Sequence, residues 1–273
     1  MYKITSKEEI APDVFKYSIH APLAVKNAKP GQFVIIIPKP SGERLPLTIY
    51  NAGKEDVTII FQKVGHSTEI LASMEVGESM EAVLGPLGRA AEIKKLGKVV
   101  CIGGGVGTAV LYPEIKALKE AGNTVYSIIG AREKSLLILE KEVSEYSDKV
   151  FITTDDGSYG EKGFVTDPLK KILEEEEVNE VIAIGPVIMM KVVSELTKKY
   201  NVHTVVSLNP VMVDGTGMCG GCRVEIDGKT KFACVDGPEF DGHQVNFTEL
   251  MNRNRQYDEH RGEKCHAVGT GKN

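Results

Sequence analysis

Three of the five cysteines of this 273-residue chain fall within sixteen positions, as Cys219-Gly-Gly-Cys222 and Cys234. Gly215 and Gly217 come just before them. Soft thiolates on a glycine-rich loop are the donor set of zinc or of an iron–sulfur cluster. Glycine has no Cβ, so such a loop can curl and turn its N–H groups toward inorganic sulfur. A plant-type cluster spaces its ligands C-x4-C-x2-C…C. The first of those positions holds Asp214 here. Either Asp214 gives an oxygen to one iron, or Cys265 completes the set, and the spacing leaves both open. A disulfide is the plainer reading, but close pairs suit small secreted scaffolds rather than a long chain with few cysteines. Zinc prefers paired ligand knuckles, and the chain offers one C-x2-C.

A second group of residues suits an anionic nucleotide. Gly103-Gly104-Gly105-Val106-Gly107-Thr108 follows the apolar run Val99–Ile102 and opens a helical pattern. Helix N-terminal N–H groups attract pyrophosphate, and glycine lets it approach the backbone. The dinucleotide fingerprint G-x-G-x-x-G would need glycine where Thr108 stands. Gly185-Pro186 follows the run Val181–Ile184, and Asp155-Asp156-Gly157 closes another strand. Ligands of open α/β sheets bind along that edge, although Asp156 reads better as a turn residue. Nearer the N-terminus, Arg44 and Thr48 share one face of a period-two segment. Arginine suits bidentate phosphate, and a threonine hydroxyl suits a ring nitrogen. Gly65-His66-Ser67-Thr68 starts a short helix, another anion position; His66 itself reads as a polar loop residue.

These groups need two kinds of scaffold. Residues 1–92 read as short strands (Val14–Ile19, Gln32–Ile37, Leu47–Tyr50, Val57–Phe61) separated by Pro/Gly turns, with a brief helix over Ser67–Met74. That grammar predicts a small antiparallel barrel. Residues 93–210 alternate strands with helices and predict a doubly wound parallel sheet ending in Thr204–Leu208. One helix there opens at Thr166-Asp-Pro168, with Thr166 as cap and an early proline. Residues 211–246 form the cysteine segment, with a hairpin around Ile226-Asp-Gly-Lys229. Residues 247–273 read as a polar tail carrying Arg253, Arg255 and Arg261, or as a strap that orders against a partner. The fold class is thus β plus α/β.

Composition narrows the function. The chain has 42% hydrophobic and 26% charged residues and a net charge of −5. That balance argues against a nucleic-acid binder. No apolar run approaches the roughly 20 residues of a membrane span. The N-terminus lacks the apolar core of a signal peptide, so the expected compartment is the reducing cytoplasm.

Taken in order, the motifs are R-x-P-L-T at Arg44–Thr48, G-x-S-T at Gly65–Thr68, Gly85-Pro-Leu-Gly88, G-G-G-V-G-T-A, Gly185-Pro-x-x-Met189-Met190, and C-x2-C…C. In this combination the chain resembles the ferredoxin–NADP reductase superfamily, in the branch that carries a C-terminal [2Fe–2S] cluster. Two groups of that branch are similar: electron-transfer subunits of dihydroorotate dehydrogenase, and small subunits of ferredoxin-dependent transhydrogenases. The latter share Asp at the position of Asp214, and the stretches Phe240–Val245 and Asn252–Arg255 also resemble them. The resemblance implies FAD on the barrel, beside Arg44, Pro46, Leu47, Thr48, Ile60, Phe61 and Gln62. Gly65, Ser67 and Thr68 would hold its pyrophosphate. Pro46 replaces the family's aromatic, leaving Tyr50 as a candidate for stacking on the flavin ring. Gly103, Gly104, Gly105, Gly107, Thr108, Gly185 and Pro186 would hold NAD(H). Arg132 and Lys134 follow the second strand, where a 2′-phosphate would sit. Asp214, Cys219, Cys222 and Cys234 would hold the cluster.

The implied activity is electron relay between NAD(H), FAD and the cluster, and on to a larger flavin and iron–sulfur subunit. Such a heterodimer would reach ferredoxin through the large subunit and carry out electron bifurcation. The alternatives are a dihydroorotate-oxidising complex, a sulfide or polysulfide reductase, and a zinc-bearing nucleotide-binding module without turnover.

Overall fold

The computed structural model describes residues 2–40 and 42–256. Its N-terminal part contains β1 (Tyr2–Ala11), β2 (Val14–His20), α1 (Pro22–Val25), β3 (Phe33–Ile37), β4 (Leu45–Thr48), β5 (Asn51–Ala52), β6 (Asp56–Gln62), α2 (His66–Ser73), β7 (Ser79–Met80) and β8 (Ala82–Leu87). Two antiparallel sheets, in the orders β5-β6-β2-β1-β7 and β4-β3-β8, wrap one core. Alternation along the strands makes that core. Phe15, Tyr17 and Ile19 of β2 meet Ile59 and Phe61 of β6 there. The Phe61 ring stacks on Phe15 at 5.8 Å and meets Tyr17 edge-on at 5.2 Å. The end of α2 is pinned from below. The Tyr17 hydroxyl lies 3.0 Å from the Met74 carbonyl, and Lys7 Nζ donates to Ala72 O at 2.9 Å. A cation at a helix C-terminus also suits its dipole.

β3 differs from its neighbours in being buried on both faces. Val34 and Ile36 point into the barrel core. Phe33 and Ile35 point outward and pack with Cys222, Ala233 and Cys234. This explains the unbroken apolar run Phe33-Val-Ile-Ile-Ile37, which alternation alone would not require.

The rest of the chain supplies β9 (Lys98–Gly104), α3 (Gly107–Glu120), β10 (Thr124–Ala131), α4 (Glu140–Glu145), β11 (Lys149–Thr154), β12 (Glu161–Lys162), α5 (Thr166–Glu175), β13 (Glu180–Ile184), α6 (Val187–Lys199) and β14 (His203–Ser207). After these come β15 (Arg223–Ile226), β16 (Lys229–Phe232), α7 (Ala233–Asp236), β17 (Glu239–Asp241) and α8 (Phe247–Asn254). The large sheet runs β12-β11-β10-β9-β13-β14-β17. The chain winds outward from β9 on one side, then returns to pair β13 with β9 on the other. The switch point therefore lies between β9 and β13, where such sheets bind ligands. One face is covered by α3 with Ile115 and Leu118, the other by α5, α6 and α8.

Three local expectations are corrected. β14 does not end the sheet: β17, from the segment that also carries the cysteines, pairs with it antiparallel at Val206↔Phe240. Thr166 does not cap α5 but is its first residue, and the Asp167 carboxylate instead accepts from Phe164 N at 2.8 Å. The polar run from residue 247 begins as α8, with Phe247 and Leu250 buried. The strap suggested for the extreme C-terminus, Arg261 and Cys265 lie outside the described residues. The hairpin β15–β16 turns through Asp227 and Gly228, both at positive φ, as a two-residue turn requires.

Candidate cofactor and cluster site

The two glycine segments meet at the switch point, where Ile184 pairs with Gly103. Their approach tolerates no side chain at Gly107: a Cβ there would lie 2.3 Å from the Ile184 carbonyl oxygen. The start of α3 is thereby seated against β13. Gly104, Gly105, Gly107, Gly185 and Pro186 line one wall of a cavity of about 1050 Å³. Gly103 and Thr108 lie beneath that wall. Thr108 is buried, and its hydroxyl has no hydrogen-bond partner among the described residues. Arg132 and Asp155, at the ends of β10 and β11, line the same cavity. Asp156 is a turn residue, as expected: its Oδ1 accepts from Ser158 N at 2.9 Å, which holds its carboxyl below the usual range.

The barrel forms the opposite wall. Alternation along β4 turns Pro46 and Thr48 to the cavity and Leu45 and Leu47 to the barrel core. Along β6, Gln62 reaches the cavity while Phe61 enters the core and Ile60 is buried beside Val14 and Tyr50. Of the residues expected beside the flavin, Leu47, Ile60 and Phe61 therefore support that wall from behind. Tyr50 also turns away, stacking on Tyr112 of α3 at 5.1 Å.

The α2 start lies outside the cavity lining. The Thr68 hydroxyl accepts from Gly65 N at 3.0 Å and Val64 N at 2.9 Å, so it caps the helix. Ser67 Oγ donates to the Glu43 carboxylate. That contact joins α2 to the segment entering β4 and shows an anion received at the helix start. Arg44, exposed next to Glu43, donates from Nη1 to Asp214 O at 3.4 Å. The apolar cavity has room for the ring system of a dinucleotide, and Arg44 and the α2 start lie outside its lining.

The cluster loop begins at Asp214. Its Oδ1 accepts from Thr216 N at 2.7 Å and its Oδ2 from Cys219 N at 2.9 Å. Bonds from Thr216 and Cys219 hold its carboxyl far below the usual range, so it stays ionised. Gly215 sits at φ +78, and a Cβ there would lie 2.8 Å from Ile35 Cγ1. Cys219 is exposed; Cys222 and Cys234 are buried free thiols with their sulfurs 3.1 Å apart. No disulfide forms among the described cysteines. Burial and the neighbouring Cys222 push Cys234 up to about 12. Asp214, Cys219 and Cys222 lie on one loop, and Cys234, on α7 beyond the hairpin, places its sulfur beside that of Cys222, so the segment supplies thiol donors of the kind an iron–sulfur cluster takes.

Residues 209–246 match the family model described as the iron–sulfur cluster binding domain of dihydroorotate dehydrogenase B. A Thermotoga maritima homolog of the dihydroorotate dehydrogenase B (NAD(+)) electron transfer subunit is 48% identical over 259 residues, covering 94% of this chain and 92% of that protein. The Clostridium acetobutylicum electron transfer subunit of that enzyme is 32% identical, covering 89% of this chain and 95% of its own length. The solved structure of an NADH-dependent reduced ferredoxin–NADP oxidoreductase, described in terms of flavin-based electron bifurcation, superposes with a TM-score of 0.90 at 46% identity. It covers 95% of this chain and 94% of its own. The chain belongs to the dihydroorotate dehydrogenase B electron-transfer subunit family. It is thus an oxidoreductase electron-transfer subunit with a ferredoxin-reductase-like fold. Among the described residues no helix is long and apolar enough to cross a membrane.

In this family member several lining residues escaped the sequence reading. Phe33, Asn209, Met212 and Pro238 all reach the cavity. Asn209-Pro210, directly after a strand at the ligand-binding edge, was the available signal for part of that set. Phe33 carried none, because nothing in its apolar run distinguishes a cavity face from a core face.

Proposed function

We propose that this chain is the FAD and [2Fe–2S] subunit of a ferredoxin-dependent NAD(P) transhydrogenase. It would exchange electrons with NAD(H) and pass them to a larger flavin and iron–sulfur subunit that meets ferredoxin, in the cytoplasm. One observation carries the reading. Phe33 and Met212 both line the cavity and pack in the cluster that contains Cys222 and Cys234. The nucleotide cavity and the cysteine loop therefore share a wall. When bound, FAD supplies the exchange between a two-electron hydride donor and a one-electron cluster.

The chain's own residues do the positioning. Gly107 opens α3 and brings its first-turn N–H groups to the nucleotide phosphates, while Gly105 N donates to Gly130 O at 2.9 Å and fixes the turn before it. Pro46, Thr48 and Gln62 fix the ring from the barrel side, and Arg44 neutralises phosphate charge. Asp214, Cys219, Cys222 and Cys234 hold the irons. No proton-transfer residue is required, and none is assigned. Asp214, and an identity of 46% to the bifurcating enzyme against 32% to the Clostridium acetobutylicum electron transfer subunit, support the transhydrogenase over a dihydroorotate-oxidising complex.

The relatives named for dihydroorotate dehydrogenase B keep that second reading in view. The native complex decides between them. Isolated with its co-purifying large subunit, it should show flavin and iron–sulfur absorption and couple NADH, reduced ferredoxin and NADP+. Oxidation of dihydroorotate without the ferredoxin-coupled reaction would overturn the proposal. A colourless preparation would overturn both readings.

A further inference from the structure

Helix α8 carries one guanidinium into the cluster loop. Asn246 caps the helix, accepting from Glu249 N at 3.1 Å, while its Nδ2 donates to Glu225 Oε1 at 3.1 Å. Phe247 and Leu250 are buried with Val224 and Ile226 of the hairpin that leaves Cys222. The helix is therefore fixed to the hairpin by caps and by core. From this base Arg253 donates from Nη2 to the Gly221 carbonyl at 3.1 Å, and its side chain is only 15% exposed. Its Nε lies 3.6 Å from Glu249 Oε1. Gly221 stands between Cys219 and Cys222, and its own N–H donates to Cys219 Sγ at 3.4 Å. A polar recess of about 280 Å³, lined by Arg223, Arg253 and Asn254 among others, lies at this point.

We propose that Arg253 is a positioning residue for the iron–sulfur centre, orienting the Gly221–Cys222 peptide and placing a fixed positive charge behind the loop. A trans peptide points its C=O and N–H in opposite directions. Anchoring the Gly221 oxygen on Arg253 therefore turns the Cys222 N–H away from α8. The donor also polarises that peptide, which strengthens its N–H. A guanidinium keeps its charge at every working pH. Each electron added to the centre makes it more negative, so the guanidinium, held on the loop side of its Glu249 partner, favours the reduced state to the extent that Glu249 does not offset it. The inference rests on the assignment of this loop to an iron–sulfur cluster.

The test is a redox titration of the purified holoprotein followed by EPR, with iron determined in each sample. For Arg253→Gln, the ratio of reduced to oxidised centre at a fixed ambient potential should fall about tenfold, which is about 59 mV for a one-electron couple. The EPR lineshape should change with it. Arg253→Lys keeps charge without the planar fork and should fall between wild type and Arg253→Gln. Arg255→Gln removes the same charge from an exposed position and should titrate as wild type. Wild-type potential and lineshape in iron-replete Arg253→Gln would overturn the proposal, as would an equal shift in Arg255→Gln. If Arg253→Gln loses its iron on purification, Arg253→Lys decides, and a wild-type titration there overturns the proposal. An iron-free wild type would instead refute the cluster assignment itself.

Discussion

Gly107→Ala isolates the nucleotide wall from the rest of the site. The added Cβ would lie 2.3 Å from the Ile184 carbonyl oxygen, 2.7 Å from its carbon and 2.8 Å from Gly185 Cα. All three are backbone atoms of the β13 edge, so no side chain can swing aside. The start of α3 must retreat by roughly 1 Å, and overpacking of this kind costs about 1–3 kcal/mol. That retreat moves the N–H groups meant for the phosphates, so the expected cost falls on NADH binding. At 1.4 kcal/mol per decade, NADH affinity should drop about 5- to 140-fold if that whole cost falls on binding. Gly228→Ala, in the β15–β16 turn outside the cavity lining, is the matched control. Gly228 has φ +67 and an added Cβ meets nothing within 4 Å, so only the left-handed penalty of about 1–2 kcal/mol applies, mainly to stability. Stopped-flow reduction of the protein's flavin by NADH, run over a range of concentrations, reads the affinity, and the absorption spectrum reads flavin content. Flavin content should stay at wild type in Gly107→Ala, because the barrel wall is untouched. Wild-type NADH affinity in a folded, flavin-replete Gly107→Ala protein would refute the placement of the nucleotide at this switch point.

Asp214→Asn should keep part of the loop cap to Thr216 and Cys219 but weaken an oxygen ligand, so the EPR spectrum and potential of the cluster should both move; if they stay at wild type, Asp214 is only a cap. Arg44→Ala removes a charge-assisted phosphate contact worth about 1.5–3 kcal/mol and should release FAD on dilution, followed by gel filtration and absorbance; full retention of FAD would contradict the phosphate role. Glu114 is buried at 1% exposure against the carboxyl of Glu239, and burial and that neighbour push its acid up. The folded state then holds a proton that the unfolded chain releases above the ordinary carboxylate range, so stability is full below that range and is lost as pH rises from it to the raised folded value. Glu114→Gln should flatten that decline in urea midpoints taken from pH 5 to pH 9, and an unchanged pH dependence would rule Glu114 out as its source.

How much of this was legible in the sequence depends on what each signal encodes. Val14–Ile19 shows period two and lies in β2, while Val57–Phe61 is a short run buried on both faces and lies in β6. The glycine loop at 103–107 was readable because strand and helix flank it, and its role at a switch point follows from the strand order. Site assignments by contiguous stretch were less accurate, because adjacent strand residues point opposite ways. That is why Pro46 and Thr48 line the cavity while Leu47 does not, and why Gln62 does while Phe61 does not. Tyr50 was a candidate by residue type, but Tyr112 of α3 gives its ring a partner that sequence separation hides. β17 has only three residues and forms because the edge of β14 offers unpaired groups. α8 was masked by Asn252, Arg253, Asn254 and Arg255; its fold depends on two apolar residues, Phe247 and Leu250, finding the hairpin.

β3 ties these parts together physically. Its register places Phe33 opposite Thr48 on one side and Leu87 on the other. The same strand buries Val34 and Ile36 in the barrel and Phe33 and Ile35 against Cys222 and Cys234. A one-residue slip would exchange those two sets at once. It would put Phe33 into a core shaped for Val34, and leave the cysteine loop facing the wrong side chains. Gly215 adds a second lock, since its backbone lies against Ile35 where no Cβ fits. Both faces of β3 and both of its neighbours therefore specify one register. The wall shared by the nucleotide cavity and the cysteine loop is thus fixed by the barrel core itself.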